Sequence, residues 1–141
     1  MAIYNISYKD KETDKLINEE MGDAYSLIKK LQLGGIGSRR MVIEHFSENM
    51  NHLKLKVSGL QYGNIEIRPK GIIIYIKSNL ETYGLIIPYY KLVIFKVGDE
   101  DYTINADTNF LKIRIKSRSD HSFIKKINSQ KANYLSDKNP R

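Results

Sequence analysis

Between residues 53 and 116 the chain passes through seven short segments that either alternate apolar with polar residues or are apolar throughout, each closed by a turn signal. A period of two puts successive side chains on opposite faces of a strand, so such a stretch buries itself only as sheet. The segments are Leu53–Val57, Tyr62–Arg68, Gly71–Lys77, Thr82–Ile87, Tyr89–Val97, Tyr102–Asn105 and Phe110–Lys116. Pro69-Lys70-Gly71 reads as a tight hairpin turn, because proline presets its own dihedral and glycine accepts a positive one. Ile72, Ile73, Ile74, Tyr75 and Ile76 are apolar on both faces, which predicts a central strand covered on both sides. Pro88 ends the ladder of its segment. In the last segment Leu111, Ile113 and Ile115 alternate with Lys112, Arg114 and Lys116.

The flanks have a different period. After the strands, Phe123, Ile124, Ile127, Lys131, Tyr134 and Leu135 recur at helical spacing, with Ser119 or Asp120 as N-cap, and predict a helix that lays one stripe on the sheet. Ahead of the strands, residues 23–33 read as a helix: Asp23 caps it, Ala24, Leu27, Ile28 and Leu31 share a face, and Gly34-Gly35 stops it. A second helix is expected from Ser38 to Met50 on the stripe Val42, Phe46 and Met50, so that residues 23–52 form a helical hairpin. Residues 1–22 are charge-mixed and read as a flexible arm, with Ile3, Ile6 and Tyr8 as its one edge-strand signal. Residues 137–141 are expected to fray.

At 141 residues the chain is long enough for one domain, which buries roughly two thirds of its unfolded surface without a metal or disulfide. It has no cysteine, which excludes disulfides, zinc–thiolate sites and cysteine catalysis. No basic start leads into an apolar run of secretory type, and the longest apolar runs fall far short of a membrane span, so a cytoplasmic protein without a transmembrane segment is expected. The net charge of +7 is uneven: residues 53–118 hold 11 basic and 6 acidic side chains, whereas residues 1–22 hold 3 and 5. That balance favours anionic partners.

Seven strands in succession followed by an amphipathic helix is the layout of the pleckstrin-homology-like (PH-like) barrel. The stretch from Asn64 to Tyr75, and then Leu85 to Leu92 with Pro88 inside it, resembles small bacterial PH-like and GRAM-like domains. The resemblance implies an α+β, mainly β fold: a seven-stranded antiparallel barrel over residues 53–136, its open corner plugged by the C-terminal helix, with the helical hairpin prefixed. It also implies a binding module rather than an enzyme. Lipid-binding members use cations on the first two strands, where this chain has Lys54, Lys56 and Arg68. Glu66 stands where a middle cation is expected, so phosphoinositide recognition, and with it peripheral membrane contact, is not implied.

Two constellations are candidate binding sites. In the segment from Gly34 to Arg40, glycines at 34, 35 and 37 let a backbone approach an anion, Ser38 opens the expected helix, and Arg39 and Arg40 supply bidentate donors. It is similar to the glycine-rich loop of the RAMP-type CRISPR RNA-binding proteins, although Met41-Val42-Ile43-Glu44 follows where that family continues with arginine and Gly-aromatic-Gly. The candidates from this loop are Gly35, Gly37, Ser38, Arg39 and Arg40. The second constellation is a basic sheet face made by Lys112, Arg114 and Lys116 with Lys54 and Lys56; nucleic-acid bases stack there if Tyr62 and Tyr75 share that face. Asp99, Glu100, Asp101 and Asp107 lack calcium-loop spacing, and His45, His52 and His121 lack metal-ligand spacing, so no metal and no cofactor is expected. The expected function is a non-catalytic binding or scaffolding module contacting a protein or an anionic ligand; the alternative is nucleic-acid binding. Self-association, giving a homodimer, is expected through an open sheet edge around Tyr83 to Tyr90.

Overall fold

From Tyr62 onward the alternation is realised as sheet. The computed structural model describes residues 1–138. Strands β1 (Ala2–Asn5), β2 (Met41–Phe46), β3 (Gln61–Arg68), β4 (Gly71–Ser78), β5 (Glu81–Pro88), β6 (Leu92–Lys96), β7 (Asp101–Ala106) and β8 (Asn109–Arg114) form one antiparallel sheet of eight strands. The order is β1-β5-β4-β3-β2-β8-β7-β6, and the end strands β1 and β6 do not pair with each other, so the sheet is not closed. The helices are α1 (Lys11–Met21), α2 (Leu27–Gln32) and α3 (Arg118–Lys138), with a 3-10 segment at Glu48–Leu53. The fold is thus α+β and mainly β.

The inner face of the sheet encloses one core. Ile65 and Ile67 of β3, Ile72, Ile74 and Ile76 of β4, Leu85 and Ile87 of β5, Ile104 of β7 and Leu111 and Ile113 of β8 all belong to it. A single sheet whose distant strands share one core is bent over upon itself. Helix α3 covers the gap with Phe123, Ile124 and Ile127, each contributing about 1.5–3 kcal/mol by burial. Its end sits where β5 hands over to β6: the Tyr134 ring lies 5.7 Å from that of Tyr89, and the Lys131 ammonium donates to the Leu92 carbonyl. The cap of α3 is Ser117, earlier than expected, whose Oγ accepts the Asp120 N–H at 3.2 Å. The tail expected over residues 137–141 has its first two residues in α3, and the rest of it lies outside the described residues.

The chain ahead of β3 differs from the expected helical hairpin. Residues 38–50 form β2 and the 3-10 segment instead of a helix. The reason is a bulge: Ile43 pairs with Ile113 and His45 with Lys112, which leaves Glu44 as the extra residue. Core-facing residues therefore fall at Met41, Ile43 and Phe46, and a three-residue step inside a strand mimics helical spacing. The preceding helix is shorter, capped by Ser26 rather than Asp23, and its stripe Leu27, Ile28 and Leu31 faces outward. Leu53–Val57 is not a strand. Leu53 is buried at the end of the 3-10 segment, and Gln61 replaces a ladder by donating to the Leu53 carbonyl (2.7 Å) and accepting the Leu55 N–H (3.2 Å).

Residues 1–22 are likewise built into the fold. Asp10 caps α1 by accepting the Glu12 N–H at 3.0 Å, and Ile17 and Met21, one turn apart, pack on Ile73 and Ile86 of the outer face. That coverage is why β4 is apolar on both sides. Strand β1 pairs with β5 from Ala2↔Ile86 to Asn5↔Tyr83, so the edge expected to be open around Tyr83–Tyr90 is covered from Tyr83 to Ile86, and the end strands of the sheet are β1 and β6.

Candidate anion-binding groove

Glycine 34 to arginine 40 does not open a helix. Gly34 and Gly35, at φ +74° and +98°, close α2 by sending their N–H groups to the carbonyls of Leu31 and Lys30. Their own carbonyls both accept from the Lys126 ammonium at 3.1 Å, so this turn presents oxygen to a cation rather than N–H groups to an anion. Past the turn the chain runs beside β3. Gly37 bridges Glu66, the Ser38 N–H donates to the Ile65 carbonyl, and the Ser38 Oγ accepts the Ile65 N–H, both at 2.8 Å. Of the amides that could cradle an anion, those of Gly34, Gly35 and Ser38 are thus already taken.

The two arginines part company. Arg39 reaches α3, with Nη2 donating to Ser117 Oγ at 2.7 Å and Nε 3.5 Å from Asp120. Arg40 lies over the Tyr62 ring, 4.0 Å from its centroid. A cation–π contact at an exposed site contributes about 0.5–1 kcal/mol, enough to hold the guanidinium plane in place while its N–H edges stay available.

That stacked pair forms one side of a groove of about 470 Å³ on the outer face of β3 and β4. Alternation along the strands directs Tyr62 and Asn64 of β3 and Tyr75 and Lys77 of β4 to this face, and Thr82 of β5 borders it. Leu55 and Leu60 of the 54–60 loop form one wall, and Asn79, held at φ +57° in the β4–β5 turn, lies at the end. The wall is tied to the turn by the Lys56 N–H, which donates to Asn79 Oδ1 at 3.3 Å. Two cations, Arg40 and Lys77, line the groove, and no acidic residue does.

Tyr75 is fixed from behind. Its hydroxyl donates to Glu66 Oε1 at 2.5 Å, and Glu66 Oε2 accepts from Arg68 Nε at 3.0 Å. Burial, and then the Glu66 carboxylate, pushes the Tyr75 phenol well above its ordinary pKa, so it remains a neutral donor. Arg68 is buried and donates through Nη1 to Asn18 Oδ1 and the Gly22 carbonyl, both at 3.0 Å. It is a structural tie between β3 and α1, not a ligand cation.

The expected basic face is largely neutralised. Arg114 Nε donates to Glu44 Oε1 at 2.6 Å, and Lys112 lies 3.7 Å from Glu44 and 3.8 Å from Asp101. Glu44 reaches that face because it is the bulged residue of β2. Lys116 is exposed beyond the end of β8, and Lys54 and Lys56 are exposed on the 54–60 loop. Of the candidate residues only Arg40 lines the groove; Lys54 and Arg114 border a second depression of about 380 Å³ on the other side of Leu60. Asn64, Lys77, Asn79 and Thr82 were not among the candidates. Their alternation was visible, but the wall that makes them a groove comes from a segment that reads as strand. Among the described residues no group of acidic and histidine side chains is arranged to hold a metal, and no helix is long and apolar enough to cross a membrane. Compared with known proteins, the chain matches no family model, no curated protein and no solved structure.

Proposed function

We propose that this chain is a non-catalytic binding module that takes an anionic ligand in the groove between Arg40 and Lys77. The observation that carries this reading is two cations without carboxylate partners converging on one concave site, with tyrosine faces and amide side chains between them. Glu66 of β3 and Glu44 of β2 are committed to Arg68 and Arg114. No nucleophile–base pair faces the groove, which favours binding over chemistry. The PH-like reading of the fold belongs to the same proposal. It is supported by the seven antiparallel strands β2 to β8 followed by a helix that packs Phe123, Ile124 and Ile127 into their shared core.

A nucleic-acid ligand is the second reading, favoured by Tyr62 and Tyr75 lining the same groove as Arg40. Stacking contributes about 1–3 kcal/mol per base and tolerates any sequence. The test is fluorescence polarisation with a labelled oligothymidylate of roughly ten nucleotides, run beside calorimetry with inorganic diphosphate. Two phosphate contacts predict that oligonucleotide affinity falls about sevenfold between about 50 and about 200 mM salt, and that Arg40→Ala and Lys77→Ala each halve the salt slope. Diphosphate binding that Arg40→Ala abolishes, without oligonucleotide binding, supports the small-anion reading alone. Binding of neither probe, or binding indifferent to both substitutions, overturns the groove as a ligand site.

A further inference from the structure

The end of the sheet at β6 carries a pattern that the groove does not use. The Val97 N–H donates to the Asp101 carbonyl at 2.8 Å, so in this antiparallel pair residues 93, 95 and 97 turn their backbone groups toward β7. Residues 92, 94 and 96 turn theirs away from the sheet. Leu92 is satisfied there, its N–H by the Tyr89 carbonyl and its own carbonyl by Lys131. The N–H and C=O groups of Ile94 and Lys96 are left with no neighbouring strand. The side chains of Val93, Phe95 and Val97 share the outer face at 41%, 57% and 44% exposure. At the opposite end of the sheet, by contrast, Ala2, Ile3 and Tyr4 of β1 pack onto the two apolar clusters.

We propose that a second copy of this chain pairs with β6, antiparallel, about a two-fold axis through Phe95. In that register Ile94 of each copy exchanges both backbone bonds with Lys96 of the other, which uses all four unpaired groups. Leu92 keeps its bond to Lys131. Phe95 faces Phe95 of the second copy in a non-hydrogen-bonded pair, the closer of the two antiparallel spacings, and Val93 faces Val97 on either side. The register also brings the acidic turn after β6 toward Lys91 of the other copy, whose ammonium already holds Asp107 at 3.2 Å. The neighbouring register, centred on Ile94, needs the Leu92 carbonyl that Lys131 already holds, and sets Val97 against Lys91. An exposed edge strand invites pairing, and this one is self-complementary in backbone valence and apolar side chains. The grooves, on the β3–β4 side of the sheet, stay open in both copies.

Absence of cysteine makes the register directly testable. Phe95→Cys places one thiol on the proposed axis, and mild oxidation yields a disulfide-linked dimer on a non-reducing gel. Val93→Cys alone and Val97→Cys alone do not cross-link, but an equimolar mixture of the two does. In the cysteine-free chain, light scattering reads a dimer at high protein concentration. Lys96→Pro, which removes an outward N–H without disturbing the β7 ladder, weakens it by at least about tenfold while the circular dichroism spectrum is unchanged. A monomer at every concentration, Val93→Cys cross-linking as readily as Phe95→Cys, or a dimer indifferent to Lys96→Pro overturns the proposal.

Discussion

Replacing Arg68 by methionine tests whether the outer face of the sheet is held by a buried ionic tie. Arg68 is 9% exposed, and its side chain donates three hydrogen bonds: one to the Glu66 carboxylate, one to Asn18 of α1 and one to the Gly22 carbonyl that closes α1. Methionine matches much of the apolar length but leaves Glu66 as a half-buried carboxylate with only the Tyr75 hydroxyl. Breaking one partner out of a buried pair costs about 3–5 kcal/mol, mostly because the remaining charge is stranded. For a domain of this size about 4 kcal/mol lowers Tm by roughly 15 °C. Urea unfolding followed by circular dichroism reads the change as a lower midpoint with an unchanged slope. The cycle is completed with Glu66→Gln, which removes the stranded charge yet still offers Tyr75 an acceptor. The double variant is expected to regain about half of the loss, a coupling of roughly 2 kcal/mol. An Arg68→Met protein within about 1 kcal/mol of the parent, or strictly additive substitutions, refutes the reasoning.

Two further perturbations probe the sheet. A methyl group at Gly71 meets the Ile87 carbonyl and lies 2.8 Å from Pro88 Cα and 2.9 Å from Met21 Sδ, whereas one at Gly84 makes ordinary contacts of 3.6 Å or more. Gly71→Ala is therefore expected to destabilise by about 3 kcal/mol and Gly84→Ala by less than about 1, in the same urea assay; equal effects contradict the packing. The Glu44 carboxyl lies below its ordinary pKa: burial acts to raise it, but the Arg114 hydrogen bond, the Asp101 contact and the charges of Arg114 and Lys112 outweigh burial. A depressed folded pKa means a stabilising contribution that is complete above about pH 4.3 and is lost as pH falls through the lower folded value. Glu44→Gln should thus lose stability relative to the parent above that pH, with the difference closing in acid; a constant difference down to acid pH removes Glu44 as its source.

What was legible in the sequence followed from strict periodicity between turn residues. Strands β3, β4, β5, β7 and β8 and helix α3 each carry their own core face, so Ile65 and Ile67, or Leu111 and Ile113, announce themselves without reference to a neighbour, whereas Leu92 to Phe95 of β6 reads as buried throughout although Val93 and Phe95 are exposed at the end of the sheet. Strand β2 did not, because the Glu44 bulge breaks the period of two and sets Ile43 and Phe46 three apart. Helix α1 was hidden for another reason. Only Ile17 and Met21 of its eleven residues are buried, and the apolar surface that receives them, Ile73 and Ile86, is supplied by strands more than fifty residues away.

The candidate site divides along the same line. Arg40 was named for a phosphate-cradling loop, yet the amides of Gly34, Gly35 and Ser38 are taken up by α2 and β3, and the arginine reaches the groove because Arg39 and Arg40 extend from the strand-like backbone in different directions. Of the row Lys112, Arg114 and Lys116, the first two lie on β8 and the third beyond its end. Whether such a row is available to a ligand depends on what the adjacent strands set opposite it, and there the bulge of β2 inserts Glu44 and β7 inserts Asp101. Across β3 and β4 the opposite holds: Asn64 pairs with Tyr75, and among the described residues no carboxylate lines the groove with Arg40 and Lys77. One face is neutralised and the other left open by register, a property of strand pairs that no single segment encodes. The proposed ligand surface is therefore the one bordered by Tyr62 and Tyr75, where no carboxylate among the described residues lines the groove with the cations.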